Sequence, residues 1–256
     1  MGSDAEVFLF DYEAYTTIVV PAFLTLLRSG HLIDWMRPFF HKRRLQPELW
    51  DRTDVSRFLA GVKEDFSCAG PYDLEETFGE NWRQRWARSA QASPPSEATA
   101  EQVNWLFKIA VEVKCLGRGQ FVGRSATVSN YANILSELHV KQSDRVIHLL
   151  AALGKRGYLI GFQFGFGFEG INGWLDPPET LELAEKLDPL PLPRYGVSFA
   201  AMEQFRIPES GSYKCEGSPF EALSLSFVRT VATIASGEGQ GLLWGNGIAK
   251  QTRLKN

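Results

Sequence analysis

Cysteine is scarce in this sequence, and so is any spacing that would bind a metal. The 256 residues include 3 cysteines and 4 histidines. No two cysteines form a C-x-x-C pair, and no two histidines have H-x-x-x-H or H-E-x-x-H spacing. Isolated thiols are typical of reduced, packed side chains, so we expect neither a disulfide framework nor a zinc finger. The sequence therefore predicts a protein with no metal and no cofactor.

A surplus of basic charge is also lacking. Lysine and arginine number 27 against 30 aspartate and glutamate residues, which gives a net charge of -3 at pH 7. Proteins that bind nucleic acid usually carry a positive surface, so the composition argues against nucleic acid as a partner. The segment Asn81–Arg88 interleaves arginine with Trp82 and Trp86, which would share one face of a helix. We expect these tryptophans to pack on the core; stacking on bases is the alternative.

No apolar run is long enough to cross a membrane. The longest runs, Ile18–Leu27 and Leu223–Ile234, are interrupted by polar residues well before 18 positions. The first residues, M-G-S-D-A-E-V, lack the basic segment and apolar core of a secretory signal. We therefore expect a cytoplasmic protein with no membrane partner.

Aromatic residues and glycine alternate in one stretch of the chain. Residues 158–168 read Y-L-I-G-F-Q-F-G-F-G-F, a period of two that predicts a β-strand. Phe162, Phe164 and Phe166 would lie on one face, and glycine would leave the other face nearly bare. Glycine allows close approach of another group, so either a helix of the same protein crosses the bare face or a ligand or partner protein binds there.

Capping residues and apolar spacing predict helices along most of the chain. A stripe over Tyr15–Leu27 predicts a helix that ends near Gly30, with Pro21 either bending it or starting a new one. The glycine-rich residues 117–125 match neither a Walker loop nor G-x-G-x-x-G, and we expect a turn there. Further helices are predicted at 32–40, 54–62, 99–116, 130–138, after a cap at Ser143 as far as Gly154, and at 177–187, 198–205 and 219–236.

The order of these elements predicts an α+β fold that is rich in helix. Residues 1–90 form an N-terminal helical part. Residues 99–250 form a C-terminal α+β part whose capped helices pack on a small antiparallel sheet. Between them, residues 89–99 are small and polar and include prolines, which is typical of a linker.

Two carboxylates flank a turn that carries a tryptophan. Glu169 and Asp176 lie on either side of Trp174, and the helix after Asp176 would direct free amides toward an anion. The alternative is that Asp176 is only the N-cap of that helix. Further along, Trp244 and Asn246 lie among glycines, as binding residues in loops often do. The candidate binding residues are therefore Phe162, Phe164, Phe166, Glu169, Trp174, Asp176, Trp244 and Asn246.

Two stretches resemble a known type of bacterial sequence. G-F-Q-F-G-F-G-F-E-G-I-N-G-W-L-D-P-P-E (161–179) and A-L-S-L-S-F-V-R-T-V-A-T-I-A-S-G-E-G-Q-G-L-L-W-G-N (222–246) resemble an uncharacterised bacterial family, a domain of unknown function. The same half is loosely similar to the small YfbM-like domain, where a strand leads into a W-L-x-P-x-E helix. The resemblance covers Ser143–Asn246 and brings no catalytic residues. It implies a cytoplasmic bacterial α+β domain, of a kind often found beside toxin or defence genes.

No catalytic set is recognisable, because the sequence has no G-x-S-x-G elbow and no cysteine with an evident histidine partner. Together with the aromatic, glycine-backed strand, this favours a protein-binding role, of an immunity or regulatory type, without catalysis. The alternative is a small-molecule-binding protein or a hydrolase-like enzyme, with a pocket around Glu169, Trp174, Asp176 and Trp244. Whether any reaction is catalysed stays open.

Overall fold

A computed structural model of the chain describes residues 5–41, 55–67, 97–123, 131–156, 170–194, 198–203 and 220–246. These residues fall into two units. The first unit takes its described residues from 5–12 and 116–246, and the second takes its own from 13–115. The expected linker at 89–99 lies mostly outside the described residues, and its last three positions belong to a helix. The division at that linker therefore stays a prediction.

The sheet of the first unit is antiparallel. Among the described residues its strands are β1 (Ala5–Phe10), β2 (Leu116–Gly123), β3 (Gly170–Leu175) and β4 (Gly241–Asn246), in the spatial order β2-β1-β4-β3. Each strand runs antiparallel to its neighbours. The central strands are β1 and β4, and every residue of β1 is buried. The expected helix-rich α+β fold with a small antiparallel sheet is confirmed.

Helices make up most of the other described residues. In chain order, the α-helices of five residues or more are α1 (Val20–Ser29), α2 (Arg37–His41), α3 (Val55–Ser67), α4 (Glu97–Cys115), α5 (Ala132–Glu137), α6 (Arg145–Lys155), α7 (Pro177–Leu187), α8 (Phe199–Glu203) and α9 (Phe220–Gly237). Each overlaps a helix that apolar spacing and capping predict. In the first unit, α9 packs on β1, β2 and β4, α6 packs on β3, and α7 packs on α9.

Strand β2 takes up residues 117–123 of the glycine-rich segment 117–125, so the expectation of a turn there is wrong. A Cβ on Gly119 would overlap the ring of Phe8 on β1. A Cβ on Gly117 would lie 3.0 Å from the Cβ of Leu9. Glycine in this strand therefore leaves room for side chains of the neighbouring strand. Two register shifts also bend this pair of strands.

Another glycine allows a helix to lie close to the sheet. A Cβ on Gly173 of β3 would collide with the main-chain carbonyl groups of Ala152 and Leu153 in α6. Without a side chain at this position, the last turn of α6 rests directly on the strand. This contact also sets the position of Arg156, the residue that follows α6.

The start of α6 differs by one residue from the prediction. Asp144, not Ser143, is the N-cap, and its Oδ1 accepts a hydrogen bond from the backbone N–H of Val146 at 3.0 Å. Either residue type caps a helix well, but a carboxylate also interacts favourably with the positive end of the helix dipole. The helix then continues past Gly154, its expected stop, to Lys155. Both ends of this prediction are therefore corrected.

In the second unit, Pro21 lies near the start of α1 without interrupting the helix. Residues Tyr15–Val19 form a π-helix that leads directly into α1. Proline has no N–H to donate, and it falls where the hydrogen-bond pattern changes from π to α. The helix ends at Gly30, whose φ of 65° is left-handed, so the predicted stop is confirmed.

Candidate functional site

Asp176, one of the expected site residues, begins α7. Its Oδ1 accepts a hydrogen bond from the backbone N–H of Glu179 at 2.8 Å. In return, Oε2 of Glu179 accepts one from the backbone N–H of Asp176 at 3.2 Å. This reciprocal arrangement is a capping box, with Pro177 in the first turn of the helix. The interpretation of Asp176 as an N-cap is therefore confirmed.

Arg156 joins this capping box to the end of α6. Its two terminal nitrogens donate to the two carboxylate oxygens of Glu179 at 2.6 and 2.7 Å. One of them also donates to the backbone carbonyl of Trp174 at 3.0 Å. The residue is only 5% exposed. This bidentate pair, the Arg156–Glu179 clamp, fixes both distance and orientation, so it holds the end of α6, the end of β3 and the start of α7 together.

The clamp keeps both of its partners charged. Burial acts to lower the pKa of Arg156, but the hydrogen bond and charge of Glu179 outweigh burial and raise that pKa above its usual value. Burial likewise acts to raise the pKa of Glu179, but the hydrogen bond and charge of Arg156 hold it below its usual value. A catalytic acid or base needs a pKa near the working pH, so these shifts suit a structural pair.

More ion pairs connect α6 with α7 at the surface. Nε of Arg145 lies 3.0 Å from Oε2 of Glu182, and Nζ of Lys186 lies 4.0 Å from Oδ1 of Asp144. All four side chains are partly exposed, so water and salt screen these pairs and each contributes little stability. Among these ion pairs, the buried clamp is therefore the one that holds the two helices.

The two tryptophans of the expected pocket, Trp174 and Trp244, point to opposite faces of the sheet. In the register of β3 and β4, Gly173 lies opposite Trp244, and Trp174 lies opposite Leu243. Directly opposed residues share a face, and successive residues alternate between faces. Both indoles are buried. The structure therefore does not bring these two side chains together.

Trp244 lies beside a buried pair of hydroxyl groups. Its ring centroid is 5.8 Å from that of Tyr131. The Tyr131 hydroxyl donates to Oγ of Ser224 at 2.8 Å, because Ser224 uses its own proton to bond the carbonyl of Val122. Burial raises the pKa of Tyr131 well above its usual value, although the Ser224 bond acts to lower it. Among the described residues, no acceptor faces the indole N–H of Trp244.

The remaining expected site residues have no described side chain. Asn246 ends β4, where its backbone pairs with Ala5 and Gly170. The expected aromatic, glycine-backed strand at 158–168 lies outside the described residues, as do the four site residues Phe162, Phe164, Phe166 and Glu169.

Arg229 of α9 is a functional candidate that the sequence patterns did not single out. It is 4% exposed. Its terminal nitrogens donate to the backbone carbonyls of Leu192 at 3.4 Å and Pro193 at 2.8 Å. Ser226, one turn earlier, donates to the same Pro193 carbonyl. No carboxylate in the described part of the chain forms an ion pair with Arg229.

The electrostatic surroundings of Arg229 are unfavourable for its charge. Burial lowers its pKa, the positive charge of Arg194 lowers it further, and Asp188 acts in the opposite sense. Arg194 and Asp188 form an exposed ion pair with each other at 2.9 Å. A charged residue inside the apolar run 223–234 was the sequence signal for this site, because a buried cation must find acceptors.

The outward side of α7 carries an exposed leucine. The residues that α7 buries all lie on one side: Thr180, Leu183, Ala184 and Leu187. On the opposite side, Leu181 is 47% exposed, and Pro178 and Glu185 are exposed with it. Together with the half-buried Glu182, these residues form the α7 outer face. It combines one large apolar side chain with two carboxylates.

The described part of the chain offers neither a membrane-spanning helix nor a cluster of metal ligands. None of its helices is both long and apolar enough to cross a bilayer. Within the same residues, no group of three or more His, Cys, Asp or Glu side chains is placed to hold a metal ion.

Comparison with known proteins finds no match to the chain among family models, curated proteins or solved structures. The resemblance of Ser143–Asn246 to an uncharacterised bacterial family and to the YfbM-like domain therefore stays a prediction.

Proposed function

We propose that this protein binds another protein through the α7 outer face, as an immunity-type or regulatory partner without catalysis of its own. The observation that carries the proposal is the exposure of Leu181 on a helix whose start is fixed by a capping box and by the Arg156–Glu179 clamp.

The fixed position of α7 matters more than the exposure alone. Single exposed apolar residues are common on protein surfaces. A helix that is already held in place loses little conformational freedom when a partner binds, so more of the contact energy appears as affinity. Covering a leucine side chain contributes about 2 kcal/mol. Leu181 is therefore well placed to act as a central apolar anchor.

The charges around Leu181 indicate the chemistry of the partner. Glu182, which pairs with Arg145 at 3.0 Å, and the exposed Glu185 lie on the same outer face. The whole chain is also acidic, with a net charge of -3. A partner with an apolar pocket and lysine or arginine at its rim would match this surface and would be steered toward it by charge. We commit to such a basic protein as the partner.

A small-molecule pocket around Glu169, Trp174, Asp176 and Trp244 is the less favoured proposal. Trp174 and Trp244 lie on opposite faces of the sheet, and both are buried. The carboxylate of Asp176 is already engaged as an N-cap. A ligand at this place would therefore meet only part of the expected set of residues.

Site-specific photo-crosslinking in the organism that encodes the protein tests the proposal. A photoreactive phenylalanine analogue replaces Leu181 in one variant, and Ile18 or Val113 in two controls that are 40% and 52% exposed in the second unit. We expect one basic protein to be cross-linked in stoichiometric amount from position 181 and not from the controls. Cross-linking from the controls alone, or from none of the three, would reject the α7 outer face.

The captured protein then allows a quantitative test with purified components. Leu181→Lys should raise the Kd by at least about 30-fold, because central apolar anchors contribute 2 kcal/mol or more to binding. Ile18→Lys, which adds the same charge elsewhere, should change the Kd by less than about twofold. Equal affinity of the Leu181→Lys variant and the parent protein would show that the partner binds at another surface.

A further inference from the structure

Arg229 carries a positive charge that its hydrogen bonds do not neutralise. A guanidinium has five N–H groups. Arg229 directs two nitrogens to the carbonyls of Leu192 and Pro193, which are neutral acceptors. Buried arginines are usually paired with a carboxylate, because an unpaired buried charge is strongly unfavourable. Within the described residues, Arg229 therefore retains both unused donors and an uncompensated charge.

The neighbouring charged groups do not supply the missing anion. Asp188 and Arg194 pair with each other, and the same nitrogen of Arg194 also donates to the Asp188 backbone carbonyl at 3.3 Å. This pair is neutral as a unit, so one net positive charge remains on the three groups. The 3.4 Å bond from Arg229 to Leu192 is at the long end of the hydrogen-bond range, so this N–H is easily redirected to a stronger acceptor.

We propose that Arg229, with Arg194 beside it, binds the carboxylate group of a small organic acid. A carboxylate is planar and matches the fork of one guanidinium with two parallel hydrogen bonds. Its single negative charge balances the single positive charge of the three groups. A doubly charged phosphate would exceed this charge and would be repelled by Asp188. This site is separate from the α7 outer face and does not depend on the proposed protein partner.

Side-chain NMR of the full-length protein provides a residue-specific test. Formate is added while sodium chloride keeps the ionic strength constant, and the Nε–Hε signals of arginine are followed. Formate has only three non-hydrogen atoms, so its Kd should be in the range of about 1 mM or weaker. We expect a saturable shift of the Arg229 signal. Arg156 is the internal control, because the carboxylate of Glu179 already occupies its fork.

Substitutions separate the contributions of the two arginines. Arg229→Lys identifies the Arg229 signal and should weaken formate binding at least about tenfold, because lysine cannot form the bidentate contact. Arg194→Gln should weaken it about threefold, and it changes an exposed residue, so it remains informative if Arg229→Lys does not fold. Arg145→Gln, also at an exposed arginine of the first unit, should leave the Kd unchanged.

Two results would overturn the proposal. One is an Arg229 signal that moves no more than that of Arg156, or that never saturates, as expected for an adventitious ionic effect. The other is tighter binding of inorganic phosphate than of formate in the same titration, which would show that the site selects charge rather than a carboxylate.

Discussion

Two arginines of the first unit are buried to nearly the same extent but are paired in different ways. Arg156 is 5% exposed and Arg229 is 4% exposed. Arg156 binds both oxygens of a carboxylate, whereas Arg229 binds two backbone carbonyls. Their pKa values accordingly shift in opposite directions, upward for Arg156 and downward for Arg229. Equal burial therefore does not imply an equal role.

The difference assigns one arginine to the fold and leaves the other with spare binding capacity. Around Arg156 the charge is balanced within the protein, so removal of Arg156 should leave the buried carboxylate of Glu179 without its main ion-pair partner. Around Arg229 the charge is not balanced, so its removal should leave only neutral groups with fewer partners. Substitutions of the two residues should thus lower the free energy of unfolding by different amounts.

The largest expected effect is that of Arg156→Met. Glu179 would remain largely buried and charged, with only the half-exposed Arg145 at 4.0 Å as a counter-charge, and we expect the first unit to lose about 3 kcal/mol of unfolding free energy. Urea unfolding followed by tryptophan fluorescence measures this loss. Arg145→Met, which breaks a half-exposed pair with Glu182, should lose less than about 1 kcal/mol.

A double variant shows whether Arg156→Met loses stability because Glu179 is left unpaired or because the packing of the arginine side chain is lost. Adding Glu179→Leu to Arg156→Met removes the carboxylate as well, so a large part of the lost stability should return. No recovery in the double variant would show that the aliphatic part of Arg156, and not its charge, holds the helices.

Acid should weaken the same clamp by protonating Glu179. The pKa of Glu179 is held below its ordinary value of 4.5 by the bond and charge of Arg156, against the effect of burial. The unfolded chain therefore takes up this proton first, so the stabilisation is complete above pH 4.5 and is lost as the pH falls through the lower pKa of the folded state. We expect a loss of about 2 kcal/mol, since the protonated carboxyl group of Glu179 no longer balances the charge of Arg156.

The control for acid is Glu179→Gln, which should flatten the pH dependence of unfolding in this range. Arg229→Met should leave that pH dependence as it is, because no carboxylate in the described residues pairs with Arg229. An unchanged profile in Glu179→Gln would assign the acid sensitivity to other carboxylates.

Removal of the second arginine should have a smaller effect on stability. Arg229→Met loses one short and one long hydrogen bond to carbonyl groups but also removes a buried, uncompensated charge. We expect a loss of about 1 kcal/mol in the same urea experiment. If Arg229→Met lost more unfolding free energy than Arg156→Met, the comparison would be reversed, and the main role of Arg229 would be structural.

The smallest expected effect is that of Ser226→Ala. Ser226 and Arg229 donate to the same carbonyl, that of Pro193, so either donor alone keeps it bonded. The single variant should lose about 0.5 kcal/mol. Combined with Arg229→Met, the loss should exceed the sum of the two single losses, because only then is the carbonyl left without a donor among the described residues.

Local signals in the sequence were enough to identify local structure. The capping box of Asp176 and Glu179 was predictable because both residues lie within one helical turn. Gly30 was recognised for the same reason, since a helix stop depends on a single left-handed residue. The α+β fold class followed from the number and spacing of such signals.

Contacts between distant residues were not predictable in the same way. The glycine at position 119 suggested a turn, whereas its actual reason is the ring of Phe8 on a strand far away in the sequence. The partner of Arg156 lies 23 residues further along the chain, and the faces of Trp174 and Trp244 depend on the register of β3 and β4. Such features require the pairing of elements, which periodicity alone does not reveal.

The central place of β1 and β4 in the sheet has a consequence for biosynthesis. They are the first and last described strands of the chain, and they pair along their full length. On the ribosome, β1 emerges before β4 and cannot acquire its central partner until β4 has been made. Pairings between distant segments form slowly, and unpaired strands are prone to aggregate. The helices of residues 13–115 are synthesised long before the sheet of the first unit closes, so β1 stays accessible to chaperones and proteases until β4 has been made.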